Sequence, residues 1–146
     1  MPHTVESKVI LLVEDTEDDI ELTLLALERS NISHAVVVAR DGAEALAYLF
    51  GSGDAAQSPG ELPQVVLLDL KLPKVGGLEV LQRIRADART RRLPVVILTS
   101  SSEEQDLISG YDLGANNYIS KPVDVDQFTQ AVQTLGLYWL VLNKMP

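Results

Sequence analysis

The chain contains no cysteine. That excludes disulfides, thiolate zinc sites and cysteine nucleophiles. Basic residues are scarce, with 12 Lys and Arg against 21 Asp and Glu, a net charge of −9 and a pI near 4.6. A field of that sign repels phosphate backbones, so non-specific nucleic-acid binding is disfavoured. Long apolar runs are missing as well. The longest near the C-terminus, Leu137 to Leu142, falls far short of the roughly 20 residues of a membrane span. Residues Met1 to Lys8 show no basic-then-apolar signal pattern, so the expected location is cytoplasmic. No G-x-G-x-x-G follows the first apolar run, which removes a Rossmann-type nucleotide fingerprint. His3 and His34 are too isolated to act as a metal or catalytic pair.

What is present is an ordinary globular composition. The chain has 146 residues, 46% of them hydrophobic and 23% charged, which suits a single domain with one core. Five short apolar runs recur: Val9–Val13, Ala35–Ala39, Val65–Leu68, Val95–Leu98 and a weaker Asn117–Ile119. They do not alternate and are rich in branched residues, as strands covered on both faces are.

Helical spacings lie between the runs. Ile20, Leu24 and Leu27 follow Thr16, a candidate N-cap, and Ala45, Leu46 and Leu49 follow Asp41. Leu78, Leu81 and Ile84 come after Gly76-Gly77, Ser102 with Gln105 opens another helix, and Asp124 precedes Phe128, Ala131, Val132 and Leu135. Gly51 to Pro63 reads as a long surface loop. The β-α rhythm repeated five times predicts an α/β domain, a parallel sheet with helices on both faces.

Ligands of open parallel sheets bind at the carboxyl ends of the strands. The residues there are Glu14 and Asp15 after the first run, Asp69 after the third, Thr99 and Ser100 after the fourth, and Ser120, Lys121 and Pro122 after the fifth. Converging carboxylates stay ionised together only with a cation. Oxygen ligands without His or Cys suit Mg²⁺. An added Lys and a hydroxyl fit phosphoryl chemistry, in which a carboxylate attacks phosphorus while positive charge stabilises its oxygens.

The motifs Val13-Glu14-Asp15, Leu68-Asp69-Leu70 with Pro73 and Gly76-Gly77, Leu98-Thr99-Ser100, and Tyr118-Ile119-Ser120-Lys121-Pro122 occur in that order at the ends of those runs. With them the chain resembles the receiver domain of two-component response regulators over about Lys8 to Leu135. The resemblance implies a flavodoxin-like (βα)5 doubly wound sheet of strand order 2-1-3-4-5. It implies that Asp69 accepts a phosphoryl group from a sensor histidine kinase with Mg²⁺ bound. Asp15 would then be a direct metal ligand, Glu14 would act mainly through metal-bound water, and Asp69 and the Lys71 backbone carbonyl would complete the set. Lys121 would contact the phosphoryl group, with a cis peptide before Pro122. Thr99 and Tyr118 would form the switch. Lys71 and Ser101 would tune the lifetime of the phosphate.

The Gly51–Pro63 insertion and the ending Tyr138-Trp139-Leu140-Val141-Leu142-Asn143 narrow the resemblance to single-domain regulators paired with bacterial and cyanobacterial phytochromes. Residues 1–146 are expected to form one receiver domain, with a core of about 8–135 and an extension at 136–146. A helix apolar on all sides must be covered. Leu137, Tyr138, Trp139, Leu140 and Leu142 are therefore expected at a symmetric homodimer interface, together with the fourth helix and the fifth-strand region. Output would be protein–protein contact or phosphorelay, with no nucleic acid or membrane involved. Two other readings stand beside this one. A phosphorylation-independent binding module would usually lack one of the acidic, Lys or Thr positions. A Mg²⁺-dependent phosphohydrolase of the haloacid-dehalogenase type would need an acid two residues after Asp69, where Lys71 stands.

Overall fold

The structure is a computed structural model. It describes residues 9–30, 32, 35–51, 62–71, 76–99, 117–121 and 123–135, of which 99, 117, 120 and 131–135 are described through the backbone alone. The strands are β1 (Val9–Val13), β2 (Ala35–Ala39), β3 (Val65–Asp69), β4 (Val95–Thr99) and β5 (Asn117–Ser120). The helices among the described residues are α1 (Glu17–Arg29), α2 (Gly42–Phe50), α3 (Gly77–Ala86) and α4 (Val125–Leu135). All five strands pair in parallel in the order β2-β1-β3-β4-β5, as the resemblance implied. The helix expected from Ser102, the loop at 52–61, Ser101, Pro122 and residues 137–142 lie outside the described residues.

Alternate strand residues serve opposite faces, which explains the unbroken apolar runs. Ile10, Leu12, Leu67 and Leu98 pack with Ile20 and Leu27 of α1 and Phe128 of α4. Leu11, Val13, Val66, Leu68 and Ile97 pack with Ala45 and Leu49 of α2 and with Val80, Leu81 and Ile84 of α3. Every residue of β3 is buried.

The caps follow local chemistry. Asp41 accepts from the Glu44 N–H at 2.8 Å, and Asp124 accepts from the Gln127 N–H at 2.7 Å. Gly51 ends α2 with φ of 86°, the left-handed region that glycine enters without strain. Thr16 takes the expected N-cap position of α1, with extended backbone and its carbonyl accepting from the Ile20 N–H at 2.9 Å. Its side chain makes no capping bond, and its backbone N–H donates to Glu14 Oε2 at 3.3 Å.

The strand order reverses direction between β1 and β3, so a crevice opens at their carboxyl ends. Val13 pairs with Leu68, so the next residues along, Glu14 and Asp69, stand side by side at the carboxyl edge of the sheet.

Candidate functional site

Glu14 begins the turn after β1, with its N–H bonded to the Ala39 carbonyl at 3.0 Å and its side chain fully buried. Asp69 is the last residue of β3 and 3% exposed. Lys121 follows β5 directly, so its side chain reaches across the β4 end to both. Its Nζ lies 3.0 Å from Glu14 Oε1, 3.1 Å from Asp69 Oδ2 and 3.2 Å from Asp19 Oδ2. The other Asp69 oxygen, Oδ1, accepts from the Lys71 backbone N–H at 3.1 Å. Asp69 is thus held between a backbone donor and an ammonium.

Burial pushes the Glu14 carboxyl up to about 7, with Lys121 opposing the shift and the charge of Asp69 adding to it. For Lys121, burial acts to lower the pKa, but the Glu14 and Asp69 carboxylates outweigh it and hold the ammonium above the ordinary lysine range.

Carboxylate oxygens of Glu14, Asp15 and Asp69 come within 4.8 Å of one another, and Asp15 is the exposed member. Glu14 Oε1 is buried and, though close to the ammonium, has no partner in hydrogen-bond geometry. A buried anionic oxygen with an open lone pair is stabilised by a cation, and all the donors are hard oxygens. The residues present therefore fit a divalent cation.

Of the expected residues, Glu14, Asp15, Asp69 and Lys121 meet here, with the Lys71 backbone beside them. Thr99 ends β4 opposite Ser120 in the β4–β5 register, and Tyr118 is half-buried beside Ile97 and its neighbours on the α2/α3 face. The Lys71 side chain is exposed at the rim. Glu17, Asp18 and Asp19 stand together in the first turn of α1, where acidic charge complements the macrodipole. The structure separates the three: Glu17 pairs with Arg40 at 3.1 Å, while Asp19 turns to Lys121. No spacing signal in the sequence separates Asp19 from its two acidic neighbours.

The model of the response regulator receiver domain family matches residues 10–133, nearly the whole chain. The chain belongs to that family. It is a two-component response regulator receiver, a phosphoacceptor signalling domain with an acidic divalent-cation site. Response regulator Rcp1 of Synechocystis sp. (strain ATCC 27184 / PCC 6803 / Kazusa) is 40% identical over 139 residues, covering 95% of this chain and 93% of that protein. The structure of the Mn(2+)-bound form of Rcp1 superposes with a TM-score of 0.72 over 94% of this chain and 98% of that one. The bacteriophytochrome response regulator RtBRR is 55% identical with a TM-score of 0.85, over 97% of this chain and 85% of that one. The phosphorylated cyanobacterial phytochrome response regulator RcpA is 44% identical with a TM-score of 0.72, over 92% and 95% of the two chains. Among the described residues, no helix is long and apolar enough to cross a membrane.

Proposed function

We propose that this receiver takes a phosphoryl group on Asp69 from a phytochrome-type sensor histidine kinase, with Mg²⁺ as its cation. The observation that carries the proposal is the single point at which Lys121 Nζ, 3.1 Å from Asp69 Oδ2, meets the Glu14 and Asp15 carboxylates. An Asp69 oxygen forms a bond to phosphorus as the phosphorus–nitrogen bond of the donor phosphohistidine breaks. The imidazole leaves with the electron pair and takes a proton from water. Lys121 donates to the phosphoryl oxygens as charge shifts onto them. Glu14, Asp15 and Asp69, with the Lys71 carbonyl, would hold Mg²⁺, which when bound offsets negative charge on the phosphoryl group. The Lys71 N–H keeps Asp69 oriented. Thr99 is the hydroxyl that follows the phosphoryl group, and Tyr118 is the aromatic that responds to it. Lys71 and Ser101 set how fast water removes the phosphate.

The kinase class rests on RtBRR and RcpA, whose names carry phytochrome partnership and whose chains match this one nearly end to end. Assembly as a symmetric homodimer rests on the apolar stretch Leu137 to Leu142, and a monomer at micromolar concentration, with and without a phosphoryl analogue, would overturn it.

The test is intact-mass spectrometry after incubation with acetyl phosphate, whose phosphorus–oxygen bond breaks to release acetate, and with an autophosphorylated phytochrome kinase. Wild type gains one phosphoryl group from both donors only with Mg²⁺, and Asp69→Asn gains none. Uptake by Asp69→Asn, or by neither protein from either donor, would overturn the assignment. Uptake from acetyl phosphate alone would remove the phytochrome kinase as donor.

A further inference from the structure

Asp19 has no task in the phosphotransfer just described, yet it is built into the site. It is the third residue of α1, and its Oδ2 lies 3.2 Å from Lys121 Nζ. Its side chain is 22% exposed, against 58% for Glu17, which points away to Arg40. Buried Ile20 and Thr23 set the rotation of α1 at this turn. Thr23, fully buried, donates its hydroxyl to the Asp19 carbonyl at 2.8 Å. The carboxylate is therefore delivered to the strand ends by the helix core.

An ammonium has three N–H donors. Lys121 has three carboxylates around it, one each from the β1 end, the β3 end and α1. Two of the three belong to the group that can hold a cation, and Asp69 also becomes an acyl phosphate on phosphorylation. Asp19 lies outside that group among the described residues. It is the one anionic partner of Lys121 whose role need not change when the cation binds or the phosphoryl group arrives.

We propose that Asp19 is a positioning residue for phosphoryl transfer, holding the Lys121 ammonium from the α1 side so that it stays over Asp69 while the other two partners are drawn into chemistry. This rests on the reading of Lys121 as the phosphoryl-contacting cation. Asp19 touches neither the phosphoryl group nor Asp69; it acts through Lys121.

A double-mutant cycle tests it. Rates of phosphorylation by acetyl phosphate with Mg²⁺ are measured by intact mass for Asp19→Ala, Asp19→Asn, Lys121→Met, the double variant Asp19→Ala/Lys121→Met, and Asp18→Ala. Asp19→Ala slows uptake by roughly threefold to fivefold, as for loss of a partly exposed ion pair. In the Lys121→Met background the same change has no further effect. Asp19→Asn, which still offers an acceptor oxygen, recovers part of the rate. Asp18→Ala removes an equal charge from the same turn and leaves the rate alone, which separates positioning from a general field effect. Equal slowing in both backgrounds, or no slowing at all, overturns the proposal. A Lys121→Met protein that is phosphorylated at the wild-type rate overturns the Lys121 reading instead. A second readout needs neither phosphate nor metal nor the Lys121 variant. In the metal-free protein, Asp19→Ala displaces the Lys121 side-chain ammonium signal in nitrogen-15 NMR and Asp18→Ala does not. An unmoved signal sinks the proposal even if the rates change.

Discussion

Lys121 Nζ and Glu14 Oε1 stand 3.0 Å apart although 107 residues separate them, and Glu14 is fully buried where they meet. The pair ties the end of β5 to the end of β1. One ammonium shared with Asp69 and Asp19 does not cancel the cost of burying this carboxylate, and its pKa stands at about 7 in the fold.

That value sets a pH dependence. In the unfolded chain a glutamate loses its proton near pH 4.5, and in the fold Glu14 keeps it to about 7. Between those values the native state binds more protons, so stability falls as pH rises. The contribution is fully present below the unfolded pKa and lost as pH passes through the folded one. The melting temperature of the metal-free wild type is expected to fall from pH 5 to pH 8 by several degrees more than that of Glu14→Gln. Parallel curves from differential scanning calorimetry would refute this.

A second prediction separates two adjacent glycines. An added Cβ at Gly77 would collide with the Asp69 carbonyl oxygen and lie 2.5 Å from Leu70 Cα, whereas at Gly76 nothing lies within 4 Å. The backbone carrying Asp69 can approach α3 only because residue 77 has no side chain, and the Gly77 N–H bond to the Leu70 carbonyl at 3.0 Å fixes that approach. Gly77→Ala is expected to cost about 1–3 kcal/mol and to slow phosphorylation by moving Asp69. Gly76→Ala, at φ of −70°, should stay within about 0.5 kcal/mol of wild type. Chemical denaturation of both variants decides the matter.

The strands were legible because burial on both faces leaves uninterrupted branched runs, and β3, β4 and β5 each extend only one residue past the expected ends. That extra residue is informative: it makes Asp69 and Thr99 the last members of their strands. Glu14, Asp15, Asp69 and Lys121 were legible because parallel strands bring their carboxyl ends to one edge. Asp19 was not. In sequence, Glu17, Asp18 and Asp19 look alike, and only the helix rotation fixed by buried Thr23 and Ile20 decides which one faces the site. Thr16 stands at the N-cap position that spacing predicts, but its hydroxyl makes no bond to the first-turn N–H groups, which spacing does not decide.

Far from the site, the α3–β4 connection is locked by one buried hydroxyl. Thr90, fully buried, donates to the Ile84 carbonyl at 2.7 Å, one of the carbonyls a helix end leaves without a partner. Arg85 braces the same turn through the Arg91 and Leu93 carbonyls at 3.1 and 2.7 Å. Thr90→Val keeps the shape and strands the Ile84 carbonyl, for an expected loss of about 1–3 kcal/mol. Because this connection enters β4 at the edge opposite Asp69, phosphorylation by acetyl phosphate below the melting transition should proceed at the wild-type rate. A shifted denaturation midpoint with unchanged uptake is the expected pair of results, and slowed uptake would show that the two ends of the sheet are coupled.

The last prediction concerns the cation itself. Three carboxylates, Glu14, Asp19 and Asp69, surround one ammonium and Asp15 adds a fourth beside Glu14 and Asp69, so the metal-free site carries excess negative charge that a divalent cation relieves. A ligand at ten times its dissociation constant stabilises the fold by about 1.4 kcal/mol. For a domain of this size that raises the melting temperature by about 4 °C. Mg²⁺ should give wild type such a rise, and EDTA should reverse it. Asp15 is the exposed member of the group, so Asp15→Asn removes a ligand without disturbing the buried Lys121 contacts. Its metal-free melting temperature should be at or slightly above that of wild type, because one repelling charge is gone, while the rise with Mg²⁺ should disappear. Glu28→Gln, an exposed change near the far end of α1, should retain the full rise. If Asp15→Asn kept it too, the cation would be stabilising the protein from somewhere other than these three carboxylates.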